Sequence, residues 1–264
     1  MKIYRFLLVL MVCALPLVGC AQKVKEYKFQ VVESLPHERS AYTQGLFFHN
    51  GDLYESCGQY GSSSFRKVQL KTGKDLRRLN FDARYFVEGS CVLDGRLYIL
   101  TWQEHKCFVY DIATWKFLGE FYNPREGWGL TTNGKDLILS DGSTKIYFLD
   151  PQTFAVRSFK EVTLGGQPVP FINELEWING EIWANVYTQD YILIIDPATG
   201  KVKGRVDCRG LLPAALRKQG TDVLNGIAQN PDTGDIYVTG KYWPKMFKVK
   251  LGSKVVRSIF TDEC

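Results

Sequence analysis

The residues in this chain best suited to chemistry are polar side chains set inside apolar runs. Glu88 sits in Tyr85-Phe86-Val87-Glu88-Gly89, Lys241 in Gly240-Lys241-Tyr242-Trp243-Pro244, and three carboxamides, Gln44, Asn173 and Asn225, occupy comparable settings. A carboxylate in low-dielectric surroundings has its pKa raised toward the range where it can carry a proton. Burying such groups costs free energy unless they are paired, so their gathering at one place points to a ligand site. Glu126, beside Gly127, is a second candidate proton carrier. Each group also has a bland reading: Glu88 as a strand cap or an ion-pair partner of Lys241, the amides as fillers that satisfy loop backbone, and Lys241 as a solvated loop lysine. Glu174 and Glu176, on either side of Leu175, read as partners of Arg or Lys at sheet edges. The only histidines are His37, His49 and His105, and no Cys-x-x-Cys pair occurs, so a zinc centre has little support.

What would bring these residues together is an internal repeat. Five times the chain runs from an apolar stretch through a turn glycine into a strand rich in Leu, Ile, Tyr or Trp, then into a third strand that ends in a polar turn. The turn glycines are Gly51, Gly95, Gly134, Gly180 and Gly234, a period of roughly 45 residues, which is the signature of a β-propeller. A fourth, outer strand follows, as in Phe117–Tyr122. The fold class read from this pattern is all-β: a five-bladed β-propeller with four-stranded antiparallel blades around a central channel. The alternating segment Tyr27–Val32 precedes the first copy and is expected to pair into the last blade and close the ring. Helical periodicity is confined to Leu211–Leu216. A flat sandwich would not give five equal units.

The repeat also sets a register. In a blade the first strand lines the channel and the second returns to the same mouth. Counting seven residues back from the turn glycines reaches Gln44, Glu88 and Asn173, with Trp128 and Asn225 as equivalents where the frame shifts. Counting forward reaches Gly58, Trp102, Gly142, Tyr187 and Lys241. One rim is therefore expected to carry a carboxylate, three carboxamides, an amine, two tryptophans and a tyrosine, with the two glycines leaving open space. Taken singly, Trp102, Trp128 and Tyr187 read as core; as a set they read as the walls of an apolar slot.

The N-terminus has Lys2 and Arg5, an apolar run from Phe6 to Leu15, and Leu17-Val18-Gly19-Cys20. The run is shorter than the roughly 20 residues of a spanning helix and has the form of a secretory leader. Its ending resembles a lipobox. The expected organisation is a leader at 1–19, a tether at 20–26 behind a lipidated Cys20, and a single propeller domain at 27–264. The expected location is lipid-anchored at a bacterial outer membrane, on the periplasmic side or the cell surface, with the membrane met through that anchor only. The net charge of +5 is spread without a basic block, which makes nucleic acid a poor partner. The remaining cysteines, Cys57, Cys91, Cys107, Cys208 and Cys264, read as small hydrophobes, although export would permit disulfides whose connectivity spacing cannot give.

The strings Tyr42-Thr43-Gln44-Gly45-Leu46, Tyr54-Glu55-Ser56-Cys57-Gly58-Gln59-Tyr60-Gly61, Glu126-Gly127-Trp128-Gly129-Leu130, Asn173-Glu174-Leu175-Glu176-Trp177, Trp183-Ala184-Asn185-Val186, Leu224-Asn225-Gly226-Ile227-Ala228 and Thr239-Gly240-Lys241-Tyr242-Trp243-Pro244 closely resemble the plant and bacterial type of glutaminyl-peptide cyclotransferase. The resemblance runs from about residue 40 to 250, across all five repeats. It implies a five-bladed propeller, unrelated to the zinc-dependent animal type, that acts as an aminoacyltransferase by converting an N-terminal glutamine to pyroglutamate and releasing ammonia. By the same resemblance Glu88 is the proton shuttle, Gln44, Asn173 and Lys241 hold the glutamine, and Trp102, Trp128, Tyr42 and Phe86 form its slot. Tyr187 stands where the family usually has tryptophan, which implies an altered peptide preference. The expected partners are peptides or proteins with N-terminal glutamine, acted on by a monomer without cofactor or metal. Two other readings remain at this stage: a non-catalytic propeller that binds peptide or sugar at the same rim, and a metal-centred hydrolase such as a lactonase, with Glu88, Asn173 and Asn225 around an ion.

Overall fold

The computed structural model describes residues 24–252. The expected leader, the lipidation site Cys20, most of the tether and Cys264 lie outside the described residues. The first strand, β1 (Lys25–Pro36), takes in the last two residues assigned to the tether. The first blade comprises β2 (Thr43–His49), β3 (Asp52–Cys57), β4 (Ser64–Gln69) and β5 (Lys74–Asn80). The second comprises β6 (Val87–Leu93), β7 (Arg96–Thr101), β8 (Lys106–Asp111) and β9 (Phe117–Tyr122). The third comprises β10 (Leu130–Thr132), β11 (Leu137–Ser140), β12 (Lys145–Leu149) and β13 (Val156–Glu161). A two-stranded ribbon, β14 (Thr163–Leu164) and β15 (Gln167–Pro168), then leads into the fourth blade, β16 (Ile172–Ile178), β17 (Glu181–Val186), β18 (Tyr191–Ile195) and β19 (Val202–Asp207). The fifth has β20 (Leu224–Gln229), β21 (Ile236–Gly240) and β22 (Lys245–Leu251). Within every blade, sequence neighbours pair antiparallel.

Period-two alternation explains why the blades stack. Leu53 turns toward the fifth blade and Tyr54 toward the second, so both faces of each inner hairpin are buried. Five apolar clusters result, one for each pair of neighbouring blades: Phe47 and Phe65 with Leu97 and Ile99; Cys91 and Leu100 with Leu137 and Leu139; Ile138 and Phe148 with Ile182 and Leu193; Trp183 and Ile194 with Val238 and Phe247; and Leu46 and Leu53 with Ala228 and Met246. Five blades joined at five interfaces form a closed ring.

β1 seals it. The strand pairs antiparallel with β22 as the missing fourth strand of the last blade, and Lys25–Lys28 also run parallel to Gly204–Asp207 of β19. Just past β1, His37 enters a buried polar network. Its Nδ1 lies 2.7 Å from the Trp243 carbonyl and its Nε2 lies 3.0 Å from Glu55 Oε1. Thr43 Oγ1 donates to the same Glu55 oxygen at 2.6 Å, and Arg66 Nε and Nη2 donate to Oε2. Burial opposes the charge on Glu55, but Arg66, His37 and Thr43 hold its carboxyl far below the ordinary range. The first and last blades are thus joined by buried hydrogen bonds as well as apolar contacts.

The long connection after β19 is not the helix suggested by Leu211–Leu216. Only Ala214–Leu216 form a single 3₁₀ turn. Leu211 and Leu212 instead pack into the cluster between the fourth and fifth blades, and Pro213 interrupts any longer helix. Cys57, Cys91, Cys107 and Cys208 are buried free thiols.

Candidate active site

The mouth residues are aimed by a recurring irregularity in the inner strands. Register shifts fall between Thr43 and Gly45, Val87 and Ser90, Ile172 and Leu175, and Leu224 and Ile227. A bulge leaves its extra residue outside the ladder and redirects it, and these bulges hold Gln44, Glu88, Asn173 and Asn225. In four blades the next residue is glycine. At Gly129 a Cβ would lie 2.1 Å from the Asn173 carbonyl, so adjacent blades meet backbone to backbone at the axis. Past the bulge the hairpins pair Thr43 with Cys57, Val87 with Thr101 and Ile172 with Val186. Backbone bonds then join Gly58 to Tyr42, Trp102 to Phe86 and Tyr187 to Phe171. Equal counts from the turn glycine reach one rim for that reason.

Nine of the ten residues expected there, Tyr42, Gln44, Phe86, Glu88, Trp102, Trp128, Asn173, Tyr187 and Lys241, line one cavity of about 190 Å³. Asn225 does not line it. It is buried behind the wall, where its Nδ2 donates to the Thr43 carbonyl at 2.9 Å and to Gln44 Oε1 at 3.2 Å. Gln44 in turn donates through Nε2 to Glu88 Oε1 at 2.9 Å. The amide–amide–carboxylate chain orients Glu88 while leaving it, among the described residues, no other hydrogen-bond donor.

Glu88 is 5% exposed. Burial pushes its pKa well above the ordinary value; nearby Lys241 opposes the shift, and the charges of Glu126 and Glu104 add to it. Burial likewise lowers the pKa of Lys241, against the pull of Glu88 and Asp222. The two groups share the cavity, but no ion pair within 4.0 Å joins them, so the ion-pair reading of Glu88 does not hold. Lys241 is held by its backbone, its N–H donating to the Val223 carbonyl at 2.9 Å. Its Nζ lies 4.5 Å from the centre of the Tyr42 ring and 5.1 Å from that of Tyr187. Asn173 Oδ1 is buried without a partner.

The aromatic walls form a nearly continuous circle. Tyr42 meets Phe86 at 6.0 Å, Phe86 meets Trp102 at 5.5 Å, and Trp128 meets Tyr187 at 5.8 Å, all edge to face. Lys241 fills the gap between the two tyrosines. Glu126 fills the gap between the two tryptophans, its Oε2 accepting Trp102 Nε1 at 2.8 Å and Trp128 Nε1 at 3.0 Å, while Gln103 Nε2 donates to Oε1 at 2.9 Å. Burial works against the Glu126 charge, but these donors hold its pKa below the ordinary value. It is a fixed anion and is poorly suited to carrying a proton, which removes it as the second candidate for that role.

The structure overturns two further expectations. Gly58 and Gly142 do not leave open space: a Cβ would lie 2.3 Å from Phe86 at the first and 2.5 Å from Trp128 at the second. They are bare so that aromatic rings can lie flat on the backbone. Glu174 and Glu176 meet no Lys or Arg within 4.0 Å among the described residues. Glu174 stands where other blades have the axial glycine and accepts the N–H groups of Leu46 at 3.2 Å and Ile227 at 2.9 Å. Glu176 accepts from Gln229 N at 3.0 Å and Thr131 Oγ1 at 3.4 Å, and burial raises its pKa to about 8. The pair ties the fourth blade to the inner strands of the first, third and fifth blades. The glutamate at a position that is otherwise glycine was the sequence signal for this. Of the Glu88, Asn173 and Asn225 set on which the lactonase-like reading rests, Asn225 stands outside the cavity with its amide nitrogen bonded to Thr43 and Gln44.

Comparison with known proteins points the same way. The family model described as glutamine cyclotransferase matches residues 6–251. A glutaminyl-peptide cyclotransferase of Arabidopsis thaliana is 42% identical over 237 residues, covering 88% of this chain and 73% of its own. The crystal structure of Myxococcus xanthus glutaminyl cyclase superposes with a TM-score of 0.82 at 37% identity, over 87% of this chain and 98% of that one.

Proposed function

The chain belongs to the glutamine cyclotransferase family, and from that premise we propose that it closes the N-terminal glutamine of a peptide to pyroglutamate, with Glu88 as proton carrier. The substrate's α-amine attacks its own γ-carboxamide carbon, an N–C bond forms, the original C–N bond breaks, and ammonia leaves. A free α-amine has a pKa of about 7.7–8.0, so at neutral pH most of it enters as ammonium and must lose a proton before attack. Glu88 takes that proton and returns it to the departing nitrogen, acting as base and then as acid. A carboxyl whose pKa is raised by burial is suited to both halves. Lys241 Nζ supplies a donor for the oxyanion of the tetrahedral intermediate, and Gln44 holds Glu88 in place. Asn173, with an amide oxygen that has no protein partner, is suited to accept from the substrate. The aromatic circle folds the glutamine side chain back toward its own amine, and because the reaction is intramolecular this restriction is the largest gain the site can supply.

The observation that carries the reading is the placement of one buried carboxyl and one buried amine, without a mutual ion pair, in a cavity otherwise walled by five aromatic rings and two carboxamides. The test is ammonia release from a glutamine-initiated peptide, with and without a chelator. Equal release in both is expected. Binding of the peptide without ammonia would identify a non-catalytic receptor, and loss of activity to the chelator would reinstate a metal-centred site. We also propose that the chain is exported and anchored through a lipid on Cys20. Metabolic labelling with a fatty-acid analogue should tag the full chain and fail on Cys20→Ser; equal labelling of both would refute the anchor.

A further inference from the structure

Glu126 belongs to no step of the reaction described above, yet it occupies a singular place. The circle of rings around the cavity is interrupted twice, and at one interruption a single carboxylate oxygen, Glu126 Oε2, receives both indole N–H groups, from Trp102 at 2.8 Å and Trp128 at 3.0 Å. The two tryptophans come from different blades, so the contact spans a blade interface at the mouth. The other oxygen is taken by Gln103 at 2.9 Å. The backbone that follows is also fixed: Gly127 N–H donates to the Trp102 carbonyl at 2.9 Å and Trp128 N–H to the Ser140 carbonyl at 3.1 Å. A carboxylate accepts several strong hydrogen bonds at once, and no neutral side chain of this length could take all three donors through acceptors alone.

We propose that Glu126 is a positioning residue that closes the substrate slot by holding Trp102 and Trp128 edge-on to one another. The inference rests on the cyclisation reading, since it assigns the slot the task of folding glutamine into attack geometry. Among the described residues each indole has an edge-to-face partner only on its far side, Phe86 for Trp102 and Tyr187 for Trp128. With the clasp removed, Trp102 loses its indole N–H acceptor and Trp128 keeps only its packing against Gly142 and Tyr187, so the near edges of the two rings can part and the slot widens at the gap. The fixed charge has a second consequence: it adds to the rise that burial causes in the pKa of Glu88.

The test compares Glu126→Ala and Glu126→Gln with the wild type in ammonia release, in its pH dependence, and in acrylamide quenching of tryptophan fluorescence. Glu126→Ala should lose about 100-fold in kcat/KM, the scale expected when a reacting group is misplaced by about an ångström, and its quenching should rise. Glu126→Gln keeps an oxygen for both indoles and should recover most of the loss, with wild-type quenching. Its acid limb in kcat/KM should move to lower pH, because the anion that disfavours ionisation of Glu88 is gone; a purely structural role would not move it. Against Trp102→Phe, which deletes one indole N–H, the alanine substitution should cost markedly less than against wild type. Wild-type kcat/KM and quenching in Glu126→Ala would overturn the clasp, as would an alanine-sized loss in Glu126→Gln without a shifted limb. If the wild type itself releases no ammonia, the cyclisation reading falls and quenching alone judges the clasp: a rise in Glu126→Ala upholds it and an unchanged value refutes it.

Discussion

Replacing Glu88 with glutamine separates chemistry from stability. The substitution is nearly isosteric and keeps an oxygen for the 2.9 Å bond from Gln44, so the wall of the cavity stays in place. What disappears is the capacity to accept a proton. General acid–base catalysis contributes about 10²–10⁴-fold, and at about 1.4 kcal/mol per decade the barrier should rise by roughly 3–5 kcal/mol. Stability should move in the opposite direction. Burial raises the folded-state pKa of Glu88 above its ordinary 4.5, so the folded protein binds this proton more tightly than the unfolded chain. The contribution is fully present below pH 4.5 and is lost as pH rises through the folded pKa. The amide is neutral throughout, so the variant should match the wild type near pH 4 and become progressively more stable than it on going upward. The assays are coupled ammonia release under saturating peptide and thermal unfolding across the pH range. Activity within tenfold of wild type, or unfolding curves that stay parallel at every pH, would refute the assignment of Glu88 as a buried proton carrier.

Other substitutions probe the remaining parts. Lys241→Met keeps an apolar stem between Tyr42 and Tyr187 but removes the Nζ donor; kcat should fall about 10²–10³-fold, and a change confined to KM would move Lys241 from oxyanion support to simple binding. Gly142→Ala places a Cβ 2.5 Å from Trp128 at a residue with φ of +77°; it should cost about 1–2 kcal/mol of stability and raise KM, whereas unaltered kinetics would show that the ring does not need that surface. Glu55→Gln leaves the buried Arg66 guanidinium with Asp75 as its remaining carboxylate partner among the described residues and should destabilise by about 3–5 kcal/mol in denaturant; a loss under 1 kcal/mol would mean that Asp75 satisfies the guanidinium by itself.

Much of this was legible in the chain because it depends on periodicity. Five turn glycines and alternating apolar residues specify five twisted sheets, each with two faces to bury, and only a ring satisfies all of them at once. The register from those glycines placed seven of the nine rim residues, because a hairpin pairs positions equidistant from its turn; Tyr42 and Phe86 came from the family resemblance, and Asn225, which the register also gave, lies behind the wall. Where the repeat is broken, the sequence reading failed: Glu174, in the place of an axial glycine, read as an ion-pair partner at a sheet edge and instead accepts backbone N–H groups of the first and fifth blades.

The tertiary structure decided what depends on contacts between blades. No pattern along the chain says that Asn225 stands behind Gln44 and outside the cavity, that Gly58 and Gly142 serve as flat beds for aromatic rings, or that one oxygen of Glu126 receives two indoles. Glu88 and Glu126 are both carboxylates beside glycines in aromatic surroundings, and sequence ranked them for the same task. Their roles diverge because one is buried with a single donor and the other is satisfied by three, and the number of donors around a carboxylate is a property of packed neighbours from different blades.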